Sequence, residues 1–209
     1  MIKGLCIVLI SYLFGSIPWA LVIGKVFYHK DIRQFGSGNL GASNAGRVLG
    51  KPAAVAVTIL DAFKAVISML IAWAVSPDMI PFAGVACCIG HCFPIFAQFK
   101  GGKAVATTYG YFLGLAIFVN QAWVWQFIVP VLLFFGILYI CRIVSISSIS
   151  AIGLEVLISA LIIHNPGSVT VCILLLWVFI VYRHKENLKR IKDGTESKVK
   201  WMGKLPGEK

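Results

Sequence analysis

The polar stretch at residues 31–47 combines glycines with small hydrogen-bonding residues. Glycine lets the backbone adopt positive φ and approach a ligand closely, so successive N–H groups can form an anion-binding nest. The short side chains add donors, and Arg47 can bind a phosphate through two hydrogen bonds. The predicted phosphate-binding residues of this loop are Gly36, Ser37, Gly38, Asn39, Gly41, Ser43, Asn44 and Arg47. The alternative, for a loop of this kind standing alone, is a flexible connection whose charges only set membrane topology.

A second candidate phosphate site comes before the fourth apolar segment, where Gly101 and Gly102 precede Lys103. The glycines give a bendable turn, the lysine gives a point charge, and the helix start that follows presents the positive end of its dipole. The segment lacks the Gly-x-x-x-x-Gly-Lys-Ser/Thr spacing and the preceding strand of a nucleotide-binding loop, which excludes nucleotide hydrolysis. The alternative is that Lys100 and Lys103 are only anchors at the membrane interface.

The third candidate segment follows the last apolar stretch and contains Arg183, His184 and Asn187. If this segment is helical, Asn187 lies three residues after His184 and four after Arg183, so one helix face can carry these groups toward the same site. The alternative is a basic amphipathic helix that rests on anionic lipid.

A few ionisable residues lie inside apolar segments, where a charge is expensive and usually faces protein or a polar cavity. Asp61 and Lys64 are three residues apart, which favours a structural ion pair at the border of the site. His91 is interpreted as a packing or hydrogen-bonding residue, and Glu155 receives no role. The six cysteines lack disulfide-like spacing and are interpreted as small buried hydrophobic residues. Because acids and histidines are dispersed, neither a metal site nor a cofactor is predicted.

These segments must be positioned by helices in a membrane, because 59% of the 209 residues are hydrophobic and only 13% are charged. A soluble domain of this size could not bury so much apolar surface. A spanning helix needs roughly 20 apolar residues. We predict an all-α membrane protein with seven transmembrane helices: one each in residues 4–24, 52–76 and 80–98, two in 104–141 that separate at 120–121, and two in 143–182 that separate at 164–167.

An odd number of spans puts the termini on opposite sides, and the distribution of basic residues decides which. With the C-terminus in the cytoplasm, 17 of the 19 Lys and Arg residues lie in cytoplasmic loops or the tail. We therefore predict an N-terminus outside, a first span that is retained, a single domain at residues 1–196 and a basic cytoplasmic tail at 197–209. The basic residues form no continuous face, which argues against a nucleic-acid partner.

Together, the three polar segments resemble the signature of the bacterial membrane-embedded acyl-phosphate:glycerol-3-phosphate acyltransferase family. The resemblance covers essentially residues 11–196, including the seven-span order. The matching motifs are Gly15-Ser16-Ile17-Pro18, Gly24-Lys25, Asp31-Ile32-Arg33, Gly36-Ser37-Gly38-Asn39 through Arg47, Gly90-His91, Phe99 through Thr107, Tyr182-Arg183-His184, Asn187 and Gly194-Thr195-Glu196. One departure is Ser43, where the family usually has threonine, and serine keeps the hydroxyl group.

The resemblance implies that a fatty acyl group moves from acyl phosphate to the 1-hydroxyl of glycerol 3-phosphate, giving lysophosphatidic acid and phosphate. This would be the first acylation step of phospholipid synthesis, in the bacterial cytoplasmic (inner) membrane, with the active site facing the cytoplasm and membrane lipid around the protein. The implied catalytic residues are Ser37, Arg47, Lys103, His184 and Asn187. Lys25 and Arg183 are further candidates for the positive field that two phosphate groups require.

For this reaction we expect Lys103 on the acyl-phosphate side and Arg47 with Asn187 on glycerol 3-phosphate. Ser37 is expected to be a donor and not a nucleophile, because its glycine turn lacks the strand-to-helix elbow of a hydrolase. The proton acceptor is left open between His184, whose imidazole titrates near neutrality, and the substrate's own phosphate. The alternatives from other classes are a membrane phosphatase or phospho-alcohol transferase and a transporter or channel.

Overall fold

The computed structural model describes residues 2–199, and the regular secondary structure in this part of the chain is entirely helical. The α-helices are α1 (Ile2–Gly15), α2 (Trp19–Tyr28), α3 (Ala42–Val48), α4 (Lys51–Val75), α5 (Ile80–Cys92), α6 (Val105–Leu115), α7 (Val129–Cys141), α8 (Val144–Leu161), α9 (Gly167–Arg183) and α10 (Lys185–Lys192). The predicted all-α class is confirmed. Most of the predicted basic tail, residues 200–209, lies outside the described residues.

Helices occupy each of the seven segments in which a span is predicted, but they differ in length. Within residues 2–199, five helices are long and apolar enough to cross a membrane, and six if α9 and α10 count as one bent pair. The apolar helix Val105–Asn120, in which a π-helical stretch continues α6, is shorter than the roughly 20 residues of a typical span. By length and composition the structure therefore has five to six candidate spans, against the seven predicted.

The chain forms two compact units, and the first covers residues 1–121. In this unit α1 packs mainly on α5, and α4 packs mainly on α6. Glycines let the backbones approach closely, because a Cβ atom at Gly15 would lie 2.2 Å from the carbonyl oxygen of Cys87, and one at Gly110 would lie 2.0 Å from that of Ala62. Small residues at helix contacts are the usual way in which membrane helices come close enough to gain packing energy.

One hydrophobic cluster joins the two polar connections of the first unit. Its buried members include Ile32 and Leu40 from the loop at residues 31–47, Ala45 of α3, Leu21 of α2, and Ala97 from the connection between α5 and α6. Burial of these side chains fixes both connections to the same core, since each would expose apolar surface if it moved away.

In the described part of the chain, the second unit covers residues 122–199, and in it α8 packs against both α7 and α9. A polar network lies inside this unit. Gln126 Nε2 donates a hydrogen bond to Glu155 Oε1 at 2.6 Å, and Asn165 Nδ2 donates to Gln126 Oε1 at 2.8 Å and to Ser159 Oγ at 3.0 Å. Glu155, which received no role from the sequence, is thus a buried acceptor in a network that links α8 to the turn before α9.

Candidate functional site

Asn44 organises the glycine-rich loop at residues 31–47. It lies in α3, and its side chain is buried. Its Oδ1 accepts a hydrogen bond from the backbone N–H of Ser37 at 2.9 Å, and its Nδ2 donates to the carbonyl oxygens of Ile32 and Phe35, each at 3.2 Å. A buried amide that satisfies three backbone groups holds them in one arrangement. This geometry argues against the alternative of an unstructured glycine-rich connection.

Of the three glycines predicted to bind phosphate in this loop, Gly36 and Gly38 adopt the left-handed backbone. The φ angles are 61° at Gly36 and 66° at Gly38, where a residue with a Cβ atom would be strained. A side chain at Gly36 would also collide with Asn44, because a Cβ atom there would lie 2.3 Å from Asn44 Oδ1. The prediction of positive φ is wrong for Gly41, whose φ is −120° because this residue is the extended N-cap of α3.

The backbone donors of this loop are partly used by the loop itself. The N–H of Ser37 bonds to the Asn44 side chain, and the N–H of Gly38 donates to a carbonyl oxygen within the loop at 3.0 Å. These two N–H groups of the predicted nest are therefore already hydrogen-bonded and do not point at an anion. The side chains of Ser37, Ser43 and Arg47 are exposed, so a phosphate can reach these three groups of the loop.

Asp31 forms ion pairs with two cations, Lys25 and Arg33, at the start of the loop. Its Oδ2 accepts a hydrogen bond from Arg33 Nη2 at 2.5 Å, and its Oδ1 accepts one from Arg33 Nε at 2.9 Å. Lys25 Nζ lies 3.9 Å from Asp31 Oδ2. The hydrogen bonds from Arg33 lower the pKa of Asp31 to about 2, so the carboxylate is ionised at neutral pH. The charge of Lys25, a predicted phosphate ligand, is thus partly balanced by Asp31.

The segment with Lys103 forms a tight turn against the end of α5. The backbone N–H of Gly101 donates to the carbonyl oxygen of Cys92 at 3.2 Å, and that of Gly102 donates to the carbonyl oxygen of His91 at 3.1 Å. Both glycines are buried, and Lys103 is half-buried directly before the N-cap of α6. As predicted, this lysine lies at a helix N-terminus, where the helix dipole also favours an anion.

In the second unit, the helix that carries the third segment bends at His184. The axes of α9 and α10 differ by 54°, so the condition of one helix through Arg183, His184 and Asn187 is not met. His184 is buried, and its Nδ1 lies 2.8 Å from the carbonyl oxygen of Ile180. Since a carbonyl oxygen can only accept, Nδ1 carries the proton, and Nε2 is the basic nitrogen of the neutral imidazole. Arg183, immediately before it, is half-buried.

Glu196 fixes the side chain of Asn187. Its Oε1 accepts from Asn187 Nδ2 at 2.5 Å and from Ser145 Oγ at 3.1 Å, and its Oε2 accepts from Arg190 Nε at 2.7 Å. Burial alone would raise the pKa of Glu196, but the hydrogen bonds from Asn187 and Arg190 outweigh it and lower this pKa below its usual value. The ionised carboxylate therefore holds α10 and Asn187 in place.

The structure groups the predicted residues within each unit. In the first unit, the loop at residues 31–47 and the connection that carries Gly101, Gly102 and Lys103 meet the same hydrophobic cluster. In the second unit, His184 and Asn187 lie one helical turn apart and are both buried. Within residues 2–199, no three His, Cys, Asp or Glu side chains are placed to hold a metal ion together.

Sequence reasoning missed the supporting roles of Asn44 and Glu196 and the partners Ser145 and Arg190. The available signal for Glu196 was the neighbouring Gly194, which has a φ of 68° and turns the chain back after α10. The backbone N–H groups that follow it, those of Thr195 and Glu196, bond to the carbonyl oxygen of Arg190.

The chain is similar to known proteins over nearly its whole length. The family described as glycerol-3-phosphate acyltransferase matches residues 5–194. The glycerol-3-phosphate acyltransferase of Bacillus subtilis is 42% identical over 197 residues, covering 94% of this chain and 97% of the relative. That of Staphylococcus haemolyticus is 44% identical over 204 residues, covering 93% of this chain and 96% of the relative.

Two crystal structures of PlsY, an integral membrane glycerol 3-phosphate acyltransferase, are similar to the whole fold. The glycerol 3-phosphate form has a TM-score of 0.85 and 35% identity, covering 94% of this chain and 95% of that chain. The lysophosphatidic acid form has a TM-score of 0.81 and 34% identity, covering 93% and 94%. The match to a family over nearly the whole sequence, relatives of nearly equal length and this shared membrane fold show that the chain is a multi-pass membrane protein that belongs to the glycerol-3-phosphate acyltransferase family.

Proposed function

We propose that this protein transfers a fatty acyl group from acyl phosphate to the 1-hydroxyl of glycerol 3-phosphate, giving lysophosphatidic acid and phosphate. The observation that carries the proposal is the pair of cation-bearing connections in the first unit, one with Arg47 and one with Lys103, attached to one hydrophobic cluster. Two phosphate-bearing substrates need such a pair, because their negative charges repel each other unless cations lie close by. Forms of PlsY with glycerol 3-phosphate and with lysophosphatidic acid support the same reaction.

The chemistry of an acyl phosphate explains what the residues need to do. The glycerol hydroxyl oxygen forms an ester bond with the acyl carbon, the bond between that carbon and the phosphate oxygen breaks, and phosphate leaves with the electron pair. Because phosphate is a good leaving group, the enzyme mainly has to align the two substrates and stabilise the negative charge that develops on the acyl carbonyl oxygen. A covalent intermediate on the protein is not required.

In this proposal each catalytic residue has a distinct role. Lys103 binds the phosphate of the donor and stabilises the oxyanion, while Arg47 and Asn187 bind glycerol 3-phosphate. Ser37 donates a hydrogen bond to phosphate. The hydroxyl proton goes to Nε2 of His184 or to the departing phosphate, and the orientation of His184 Nδ1 toward a carbonyl oxygen supports the first acceptor.

The remaining predicted residues would shape the site or add to its positive field. Asn44 and Gly36 would hold the loop, and Gly101 with Gly102 would hold the turn, as their close contacts support. Lys25 and Arg183 would add to the positive field, and Asn39, Gly41 and Ser43 would make further phosphate contacts. Gly38, whose N–H is used within the loop, would help to hold the turn.

We also propose that the chain crosses the bacterial inner membrane seven times as a single domain at residues 1–196, with the active site and the basic tail in the cytoplasm. The strongest support is that 17 of its 19 Lys and Arg residues fall on one side in this topology. In this arrangement Val105–Asn120 is the short span, and α9 is the last.

The donor is tested with purified protein in detergent, glycerol 3-phosphate and one donor at a time: acyl phosphate, acyl-CoA or an acyl carrier protein thioester. We expect lysophosphatidic acid only from acyl phosphate. Formation from a thioester, with none from acyl phosphate, would contradict the proposed donor and leave the acceptor intact.

The transporter alternative is tested with the protein in liposomes, where flux of glycerol 3-phosphate without acyl transfer would contradict the proposed acyltransferase activity.

A further inference from the structure

Three ionisable side chains of the first unit are buried in contact with one another. Asp61 and Lys64 of α4 are each 1% exposed, and His91 of α5 is 7% exposed. Lys64 Nζ lies 2.9 Å from Asp61 Oδ1 and 2.8 Å from His91 Nδ1, and His91 Nδ1 lies 3.3 Å from Asp61 Oδ1. We call Asp61, Lys64 and His91 the buried charge cluster.

Helix packing alone does not explain the buried charge cluster. Taking charged groups out of water is costly, and hydrophobic residues of the same volume often pack as well or better. Ionisable residues inside apolar helices are accordingly signs of function. None of the three residues has a substrate-binding role in the proposed reaction, so a different contribution has to be found.

His91 is the member that contacts the turn with Lys103. Its carbonyl oxygen accepts from the N–H of Gly102 at 3.1 Å. Its imidazole packs so closely against this glycine that a Cβ atom there would lie 2.1 Å from His91 Nε2. Through one side chain, the buried charge cluster therefore sets the position of the residue that directly precedes Lys103.

The connection that carries this turn has a backbone that needs support. Gln98, Phe99 and Ala104 have φ angles of 56°, 60° and 57°, in the left-handed region that residues with a Cβ atom seldom adopt. Strained conformations of this kind persist only where the surrounding structure holds them, and they occur mainly at functional sites. The turn at Gly101 and Gly102 lies between these positions and is held by the end of α5.

We propose that Asp61, Lys64 and His91 are positioning residues for catalysis: Lys64 and Asp61 fix the imidazole of His91, and the imidazole fixes Gly102 and thereby the amino group of Lys103. The inference rests on the proposed function in one respect, which is the catalytic role of Lys103. None of the three residues touches substrate in this arrangement.

A double-mutant cycle between His91→Ala and Gly102→Ala tests the contact. Each single variant is expected to lower kcat roughly tenfold or more, since a small displacement of a catalytic group has a large effect on rate. In the His91→Ala background the added methyl group at position 102 no longer meets an imidazole, so Gly102→Ala should cause little further loss. Losses that multiply in the double variant would overturn the proposal.

Two glycine variants serve as matched controls. A Cβ atom at Gly101 would lie 2.1 Å from the carbonyl oxygen of His91, a backbone atom that remains when the side chain is removed. The loss caused by Gly101→Ala should therefore persist in the His91→Ala background. Gly136→Ala should leave kcat unchanged, because nothing lies within 4 Å of a Cβ atom at that position.

Epistasis with Lys103→Met separates positioning from folding. If His91 acts through Lys103, His91→Ala should lower kcat in the wild-type background and have no further effect in the Lys103→Met background. Asp61→Asn should behave in the same way. An equal loss in both backgrounds, or a normal kcat for His91→Ala, would overturn the proposal. If His91→Ala does not purify as folded protein, the cycles with Gly102→Ala and Lys103→Met are measured with His91→Asn instead.

These experiments also distinguish the inference from the proposed function. A near-normal kcat for Lys103→Met would contradict the catalytic role of Lys103, whatever the cycle between positions 91 and 102 shows. If Lys103→Met has a strongly reduced kcat but the two losses at positions 91 and 102 multiply, the proposed function stands and the positioning role is wrong.

Discussion

At the scale of single residues, Arg47 and Lys103 supply positive charge to the two glycine-containing connections. Loss of one charge-assisted contact to phosphate typically costs about 1.5–3 kcal/mol. We predict that Arg47→Ala and Lys103→Ala each lower kcat/KM by roughly ten to a hundredfold while the protein stays folded. The measurement is the initial rate at subsaturating substrate.

Lys51→Ala and Lys100→Ala are the matched controls for these two variants. Both lysines are exposed and lie near the same connections, and neither has a proposed contact with substrate. They should retain most activity. Near-normal rates for both Arg47→Ala and Lys103→Ala would show that these residues were assigned wrongly.

Glu196 gives a second prediction at this scale. Glu196→Gln removes the charge that Asn187 and Arg190 contact, so we expect a lower thermal midpoint together with a lower kcat. Because the folded-state pKa of Glu196 lies below its usual 4.5, its stabilising effect is complete above that pH and is lost as the pH falls through the folded-state value. The wild type should thus lose more of its midpoint on acidification than Glu196→Gln does. Equal losses would contradict the role of the carboxylate.

The residues that bear charge or flexibility could be selected from the sequence, whereas their supports could not. Glycine chemistry permits the positive φ of Gly36 and Gly38, but the extended backbone of Gly41 shows that it does not decide which glycines adopt it. The partners of Asn44 and Glu196 depend on which backbone groups the fold brings near an amide or a carboxylate. Sequence separation gives no guide to that, since Glu196 and Ser145 are 51 residues apart.

At the scale of elements, the loop at residues 31–47 is held by one buried amide. Asn44→Ala would leave up to three backbone groups without their hydrogen-bond partner. Each group lowers the free energy of unfolding by about 1–3 kcal/mol if water does not replace the amide. We predict lower stability and a higher KM for glycerol 3-phosphate, measured by thermal unfolding and steady-state kinetics. Gln34→Ala, an exposed change in the same loop, should have neither effect, and an unchanged KM for Asn44→Ala would contradict the loop's role in binding.

Helix positions were predictable because apolar runs separated by charges or turn residues define them. Their internal geometry was not. No proline or glycine in the sequence marks the bend of 54° between α9 and α10. The bend occurs at His184, which is a predicted catalytic residue. The start of α6 at Val105 comes just after the turn at Gly101 and Gly102, whose N–H groups bond to carbonyl oxygens at the end of α5.

At the scale of the whole molecule, the account requires no protein nucleophile. Cys87, Cys88, Cys92 and Cys172 are buried, and small-residue replacement should be tolerated where no reaction depends on the thiol. We predict that a variant with all six cysteines replaced by alanine keeps substantial kcat. Loss of turnover in a variant that remains folded, with an acyl group trapped on the matching cysteine in the wild type, would contradict direct transfer.

The most direct test of the central claim is a single-turnover experiment with purified protein, radiolabelled acyl phosphate and glycerol 3-phosphate, in which lysophosphatidic acid and inorganic phosphate are measured together. The account predicts that both products form at the same rate and in equal amounts, and that neither forms when glycerol 3-phosphate is omitted. A burst of phosphate without glycerol 3-phosphate, with label retained on the protein, would contradict direct transfer. Absence of lysophosphatidic acid under these conditions would contradict the reaction itself.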